Sequence, residues 1–194
     1  MVIIADDSAK PEWIAADMAA QAEHNPGSAI LVTDSKELAA RTIEALDDVL
    51  SDLGREEEAR DCLQHYSAVF VTESMDECVE LSNTLAPEHL EILTENAPEL
   101  SENVRHAGAV FVGGWTPVAT GDYVAGPSHV LPTGRTARFS SGLSAADFMK
   151  RTSVVEYNEE ALRSDCPHLR ALAGAEELTA HARSVALRLD DEEE

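Results

Sequence analysis

Apolar positions along the chain recur with two different periods. Short runs, continuous but for one position in the fourth, at Val2-Ile3-Ile4-Ala5, Ala29-Ile30-Leu31-Val32, Ala68-Val69-Phe70-Val71, Leu90 to Leu93 and Ala109-Val110-Phe111-Val112 predict strands. Helical spacing fills the intervals. Trp13, Ile14, Met18 and Ala19 follow Pro11, with Asp6, Asp7 and Ser8 offering a cap. Leu38, Ile43, Leu46 and Leu50 follow a cap at Asp34 or Ser35, and Cys78, Val79 and Leu81 follow Glu73-Ser74. A further helical stretch lies near Ala97 to Val104. Strands alternating with helices predict an α/β layer architecture around an at least partly parallel sheet.

From Gly113 to about Gly142 the chain turns to Gly, Pro, Ser and Thr without periodicity, and a loop of that length in a compact domain is usually functional or disordered. Beyond it, Ser144 to Met149 reads as a short capped helix and Ser153-Val154-Val155-Glu156 as a strand. Glu159 to Ala173 and Ala175 to Leu189 read as paired helices around Gly174, ahead of an acidic tail. The expected organisation is an α/β domain over 1–143 and a helical segment over 144–194 that buries little alone and must dock on something. A strand directly after Met1 suggests a sheet lacking neighbours.

Composition narrows the function. Of 194 residues 44% are apolar but only 5% aromatic, so the core is built from Ala, Leu, Val and Ile. The formal net charge is -23 and the lysines are Lys10, Lys36 and Lys150, which argues against nucleic-acid partners, since those need a basic footprint. No apolar run reaches the roughly 18 residues of a membrane span and no leader pattern opens the chain, so a soluble, cytoplasmic protein is expected. Cys62, Cys78 and Cys166 have neither the number nor the spacing of a disulfide framework or a thiolate metal site.

Candidate chemistry gathers in four places. Gln21 and His24, three apart near the end of the first helix, would share a face as a ligand pair, or simply mark a surface helix end. Glu88 and His89, between a helix and a strand, can supply an acid and a base near neutral pH, although adjacent Glu and His are common by chance. Asp122 and His129 sit in Gly- and Pro-punctuated backbone able to hold a ligand shell, with an Asx turn as the plainer alternative for Asp122. Glu176 and His181 open the last helix, where a solvated helix start is the ordinary reading. His65, His106 and His168 lack comparable partners and read as structural, and packing beneath the loop is the expectation for Trp115. No dinucleotide fingerprint or P-loop occurs.

Taken together, Gln21-Ala22-Glu23-His24, Leu85-Ala86-Pro87-Glu88-His89-Leu90, Gly121-Asp122-Tyr123, His129-Val130-Leu131-Pro132-Thr133 and Leu178-Thr179-Ala180-His181 resemble, in order and spacing, the histidinol dehydrogenases. The resemblance runs from about Val2 to the last helix. It implies a partial Rossmann-like sheet with flanking helices plus a small C-terminal helical appendage, and NAD-dependent oxidation of L-histidinol to L-histidine through an aldehyde. It further implies a zinc site of Gln21, His24, Asp122 and His181 that grips the substrate, in a homodimer where His181 reaches the partner's site. Glu88 and His89 match the acid/base pair, and His129 and Glu176 match substrate-contacting positions. Complete members are about twice as long, their preceding half carrying the NAD site. The chain is therefore expected to be a carboxyl-terminal fragment that binds zinc weakly and is inactive alone. It could alternatively be a zinc- or imidazole-binding remnant, or half of a split enzyme.

Dispersed carboxylates with little lysine suit concentrated salt, where self-repulsion is screened. The melting temperature is expected to rise from low to molar salt in thermal melts; an unchanged value would remove salt adaptation.

Overall fold

The computed structural model describes residues 1–24 and 26–189; the tail at 190–194 lies outside them. Five strands, β1 (Val2–Ala5), β2 (Ile30–Thr33), β3 (Ala68–Val71), β4 (His89–Leu93) and β5 (Ala109–Val112), pair in parallel in the order β3-β2-β1-β4-β5. This is the strand order of a Rossmann-type sheet through its fifth strand. The central strand β1 is buried at every position, as a parallel strand covered on both faces must be.

Alternation sorts the side chains between two layers. Ile3, Ala5, Leu31 and Leu93 meet Ile14 and Met18 of α1 (Pro11–Ala22) and Leu38 of α2 (Lys36–Ser51). Val2, Ile4, Val32, Leu90 and Ile92 meet Cys78 and Val79 of α4 (Met75–Leu85) and Ala97 and Leu100 of α5 (Ala97–Ser101). Each fully buried Ile, Leu or Val contributes about 1.5–3 kcal/mol of transfer free energy. A third cluster joins Ala19, Ala22 and Leu50 to Ala59 and Cys62 of α3 (Glu56–Tyr66).

Cys62 fixes that cluster to the loop before β2: its thiol donates to the Gly27 carbonyl at 2.8 Å and accepts from the Gly27 N–H at 3.1 Å. A Cβ at Gly27 would overlap the Gln21 carbonyl, so only glycine permits this approach.

Several elements depart from expectation. Ser35 caps α2 by accepting from the Leu38 N–H and Ser74 caps α4 from the Glu77 N–H, but α1 has no side-chain cap. Asp6 instead accepts from the Ser8 and Glu95 N–H groups, tying together the turns after β1 and β4. The acidic run Glu56-Glu57-Glu58 forms the first turn of α3, where carboxylates favour the helix dipole. Within the supposed loop, Val118–Tyr123 forms α6 and Thr136–Arg138 a 3₁₀ turn. Ser153–Glu156 is no strand: Val154 is 90% exposed and none of the five strands pairs with it.

The chain divides into two compact units, Met1–Phe148 and Met149–Glu194, rather than at 143/144. Ser144, Ala145 and Phe148 stay with the first because they line one of its clefts. The second contains α7 (Glu159–Ala175) and α8 (Thr179–Ala186), with no buried residue on either. Gly174 lies inside α7, and the chain turns instead at Glu177, whose φ is 60°.

On α2 the inward position falls on Thr42, 1% exposed, while Ile43 is 54% exposed. The Thr42 hydroxyl has no hydrogen-bond partner. Replacing an unsatisfied buried hydroxyl with a methyl of the same shape removes a desolvation cost, so Thr42→Val is expected to stabilise the protein by about 1 kcal/mol in urea titrations.

Candidate functional site

The candidate residues of the first unit assemble at the amino edge of the sheet. His89 is the first residue of β4 and Glu88 directly precedes it. A helix that returns the chain between parallel strands runs antiparallel to them, so the carboxyl end of α1, with Gln21 and then His24, comes back to this edge. Asp122 lies in the last turn of α6. The charges of Glu88, Asp122 and His24 all act on the His89 imidazole, which places the four groups in one neighbourhood.

The backbone entering β4 is held in an uncommon conformation. Ala86 ends α4 with φ 48° and ψ 62°, left-handed for a non-glycine residue and costing about 1 kcal/mol, with its N–H given to the Ser82 carbonyl. Pro87 and Glu88 then offer their carbonyls to the Gly108 and Ala109 N–H groups, both at 2.9 Å, which locks the segment against the start of β5. A Cβ at Gly108 would lie 2.6 Å from the Glu88 carbonyl oxygen.

His89 packs against Phe111, ring centroids 5.9 Å apart. Gly121 of α6 also approaches Phe111, where a Cβ would sit 2.7 Å from the ring. This stack sets how closely α6, and so Asp122, approaches His89. The His89 Nδ1 is buried without a hydrogen-bond partner. Burial pushes the imidazole below its ordinary pKa, opposed by the Glu88 charge. Beside it opens a cleft of about 810 Å³ lined by His89, Asp122, Ser128, His129, Leu131 and Phe148 among others.

The loop that carries His129 is tethered at its far end. Arg135 and Arg138 both donate to the Thr84 carbonyl at the end of α4, and Leu143 closes back on the Val130 carbonyl at 2.9 Å. Cations at a helix carboxyl terminus satisfy its orphaned carbonyls, so the loop docks on the helix that leads into Glu88 and His89.

Some expectations need correction. His24 does not share a helical face with Gln21: α1 ends at Ala22, and His24 stands exposed beyond it, its N–H reaching back to the Gln21 carbonyl. Asp122 is helical rather than part of a turn. Trp115 is 88% exposed and leans on Trp13, centroids 5.3 Å apart, instead of packing under the loop. In the second unit Glu176 and His181 are exposed but line a common groove of about 560 Å³ with Leu169, Leu172, Leu178 and Val185.

Among the described residues no group of three or more His, Cys, Asp or Glu side chains is gathered to hold a metal. No described helix is long and apolar enough to cross a membrane. Two of the turns after the strands are not built for a pyrophosphate. After β1 stand Asp6, Asp7 and Pro11 with no glycine, and after β4 stand Glu95 and Pro98.

Two residues behind the site, Asp17 and Glu91, were not singled out from the sequence. The available signal was Glu91 itself, a carboxylate inside the apolar run Leu90-Glu91-Ile92-Leu93.

Comparison with known proteins gives the family of the chain. The family model described as histidinol dehydrogenase matches residues 1–189. A histidinol dehydrogenase of Zymomonas mobilis is 49% identical over 191 residues, covering 98% of this chain and 44% of the relative. One from Halalkalibacterium halodurans is 47% identical over 193 residues, covering 99% of this chain and 46% of the relative. The crystal structure of histidinol dehydrogenase from Elizabethkingia anophelis superposes with a TM-score of 0.93 at 34% identity, over 98% of this chain and 44% of that one. The chain thus spans less than half the length of these relatives, and within that span it belongs to the histidinol dehydrogenase family.

Proposed function

We propose that this chain is the acid/base and metal-binding portion of an enzyme that oxidises L-histidinol to L-histidine in histidine biosynthesis. The observation that carries the reading is the half-buried His89, its Nδ1 without a partner, opening on a cleft shared with Asp122 and His129. In this reading a neutral His89 accepts the proton of the substrate alcohol, and burial, which favours the neutral imidazole, keeps it ready. Glu88, beside it, activates the water that adds to the aldehyde intermediate. His129 and Glu176 contact the substrate.

Gln21, His24, Asp122 and His181 would hold a zinc ion. Two imidazoles and two oxygen donors suit that cation, and the charges of Asp122 and His24 already act on His89. Bound there, zinc would supply a Lewis-acidic anchor for the substrate's imidazole and amine. His181 and Glu176 are assigned to the partner's site in a homodimer, a reading supported by the apolar groove in which both stand. NAD is assigned to the part of the family's length that this chain does not span, a reading supported by the acidic, glycine-free turns after β1 and β4. A cytoplasmic location accompanies the reading and suits three free thiols.

The test is assembly of the chain with the family's remaining length, zinc, NAD and histidinol, followed by NADH absorbance. The assembled enzyme is expected to reduce NAD, and His89→Ala to lower kcat at least about 100-fold, the usual contribution of a positioned general base. NADH production by the 194-residue chain alone would overturn the assignment of the cofactor site. Independently, NMR titration of the His89 imidazole is expected to give a midpoint below the ordinary 6.5, with the ring neutral above it.

A further inference from the structure

His89, Glu91 and Leu93 alternate onto the face of β4 that meets α1. Glu91 is fully buried there, and its register neighbours, Ile3 of β1 and Phe111 of β5, are both apolar. Neither of its carboxyl oxygens has a hydrogen bond of normal geometry. Two polar groups act on it: the Asp17 carboxyl of α1 and the Val118 N–H at the start of α6. A lone carboxylate in such surroundings is strongly disfavoured, and two facing carboxylates do not both ionise. Burial, reinforced by the Asp17 charge, raises Glu91 to about 8; burial raises Asp17 to about 6, opposed by its interaction with the Glu91 carboxyl.

The position of this pair is as telling as its chemistry. Gln21 is one helical turn beyond Asp17, Asp122 one turn beyond Val118, and His89 two strand residues from Glu91. Each step is about 5–7 Å, so the three polar groups form a layer directly behind the three candidate site residues.

We infer that Asp17 and Glu91 share one proton in a carboxyl–carboxylate bridge that joins α1 to β4 beside the start of α6, making both positioning residues for Gln21, His89 and Asp122. The proton resides on Glu91 and is donated to an Asp17 oxygen, leaving one negative charge on the pair. The positioning role rests on the function proposed above; the shared proton does not.

The experiment uses the 194-residue chain and no zinc, NAD or histidinol, so its result is separate from that function. Infrared spectra at neutral pH are expected to show a protonated-carboxyl C=O band that disappears in Glu91→Gln. The Gln variant keeps an N–H donor to Asp17, so it should preserve the NMR shifts of the His89 imidazole, whereas Glu91→Leu should displace them. Both carboxyls are raised in the folded state, so their stabilisation is complete below the ordinary 3.8 of an aspartate and is lost as pH rises to about 8. The urea midpoint should therefore fall over that window in the parent, and fall less in the Asp17→Asn/Glu91→Gln double variant. No protonated band in the parent, or a band that survives Glu91→Gln, would overturn the shared proton. Unmoved His89 shifts in a folded Glu91→Leu variant would overturn the positioning role. Should Glu91→Leu not fold, unmoved shifts in Asp17→Ala serve as the same negative result.

Discussion

The pairing of β4 against β1 governs where every candidate residue of the first unit stands. These strands lie far apart in sequence, yet Val2 to Ala5 match Leu90 to Leu93 in parallel register. A one-residue slip would exchange the faces of β4, sending His89 and Glu91 toward α4 and α5 and driving Leu90 and Ile92 against α1. With a fully buried β1 as template, that slip is forbidden by the loss of several complete side-chain burials. The chemistry at the amino edge is thus specified by the same apolar matching that builds the core. Most open α/β sheets place ligands at the carboxyl edge instead. Here that edge is occupied by acidic turns, with Asp6 linking two of them.

Close backbone approaches then bring the distant segments together. Gly27 lets the loop after α1 fold under Cys62, Gly108 lets β5 meet Glu88, and Gly121 lets α6 rest on Phe111. Each is a position where a single methyl group would push on a segment that carries a candidate site residue or packs against one. The long loop is held by charge as well as packing, its two arginines converging on one carbonyl.

The strands were legible in the sequence because four-residue runs of mainly apolar residues bounded by turn residues admit few other readings. Helix phase was less legible. Thr42 displaced Ile43 from the core because α2 packs on both α1 and β2, and a β-branched polar residue fills the inward space. The helix α3 was hidden by its acidic first turn, a good helix start that resembles a solvated run. Val118–Tyr123 carries no apolar stripe, being short and held by Phe111 rather than by a face of its own. Ser153–Glu156 has the composition of a strand but no partner edge. At the site, Glu88-His89 could be read locally, whereas the approach of Asp122 and His24 depends on crossovers that periodicity does not encode. Their grouping came from the resemblance between ordered motifs, and Glu91 went unremarked because its partner lies seventy-four positions away on α1.

The outer strands β3 and β5 leave Phe70, Val71 and Val110 partly open to solvent, each more than a third exposed. Such rims offer unpaired backbone groups and apolar side chains to any extended peptide, including another copy of the same chain. Resistance to that templated stacking falls to the excess of 37 acidic over 14 basic residues, which keeps neighbouring molecules apart at long range. Colloidal behaviour and edge protection are thereby coupled: whatever masks the rims relieves the acidic surface of its task as a dispersant.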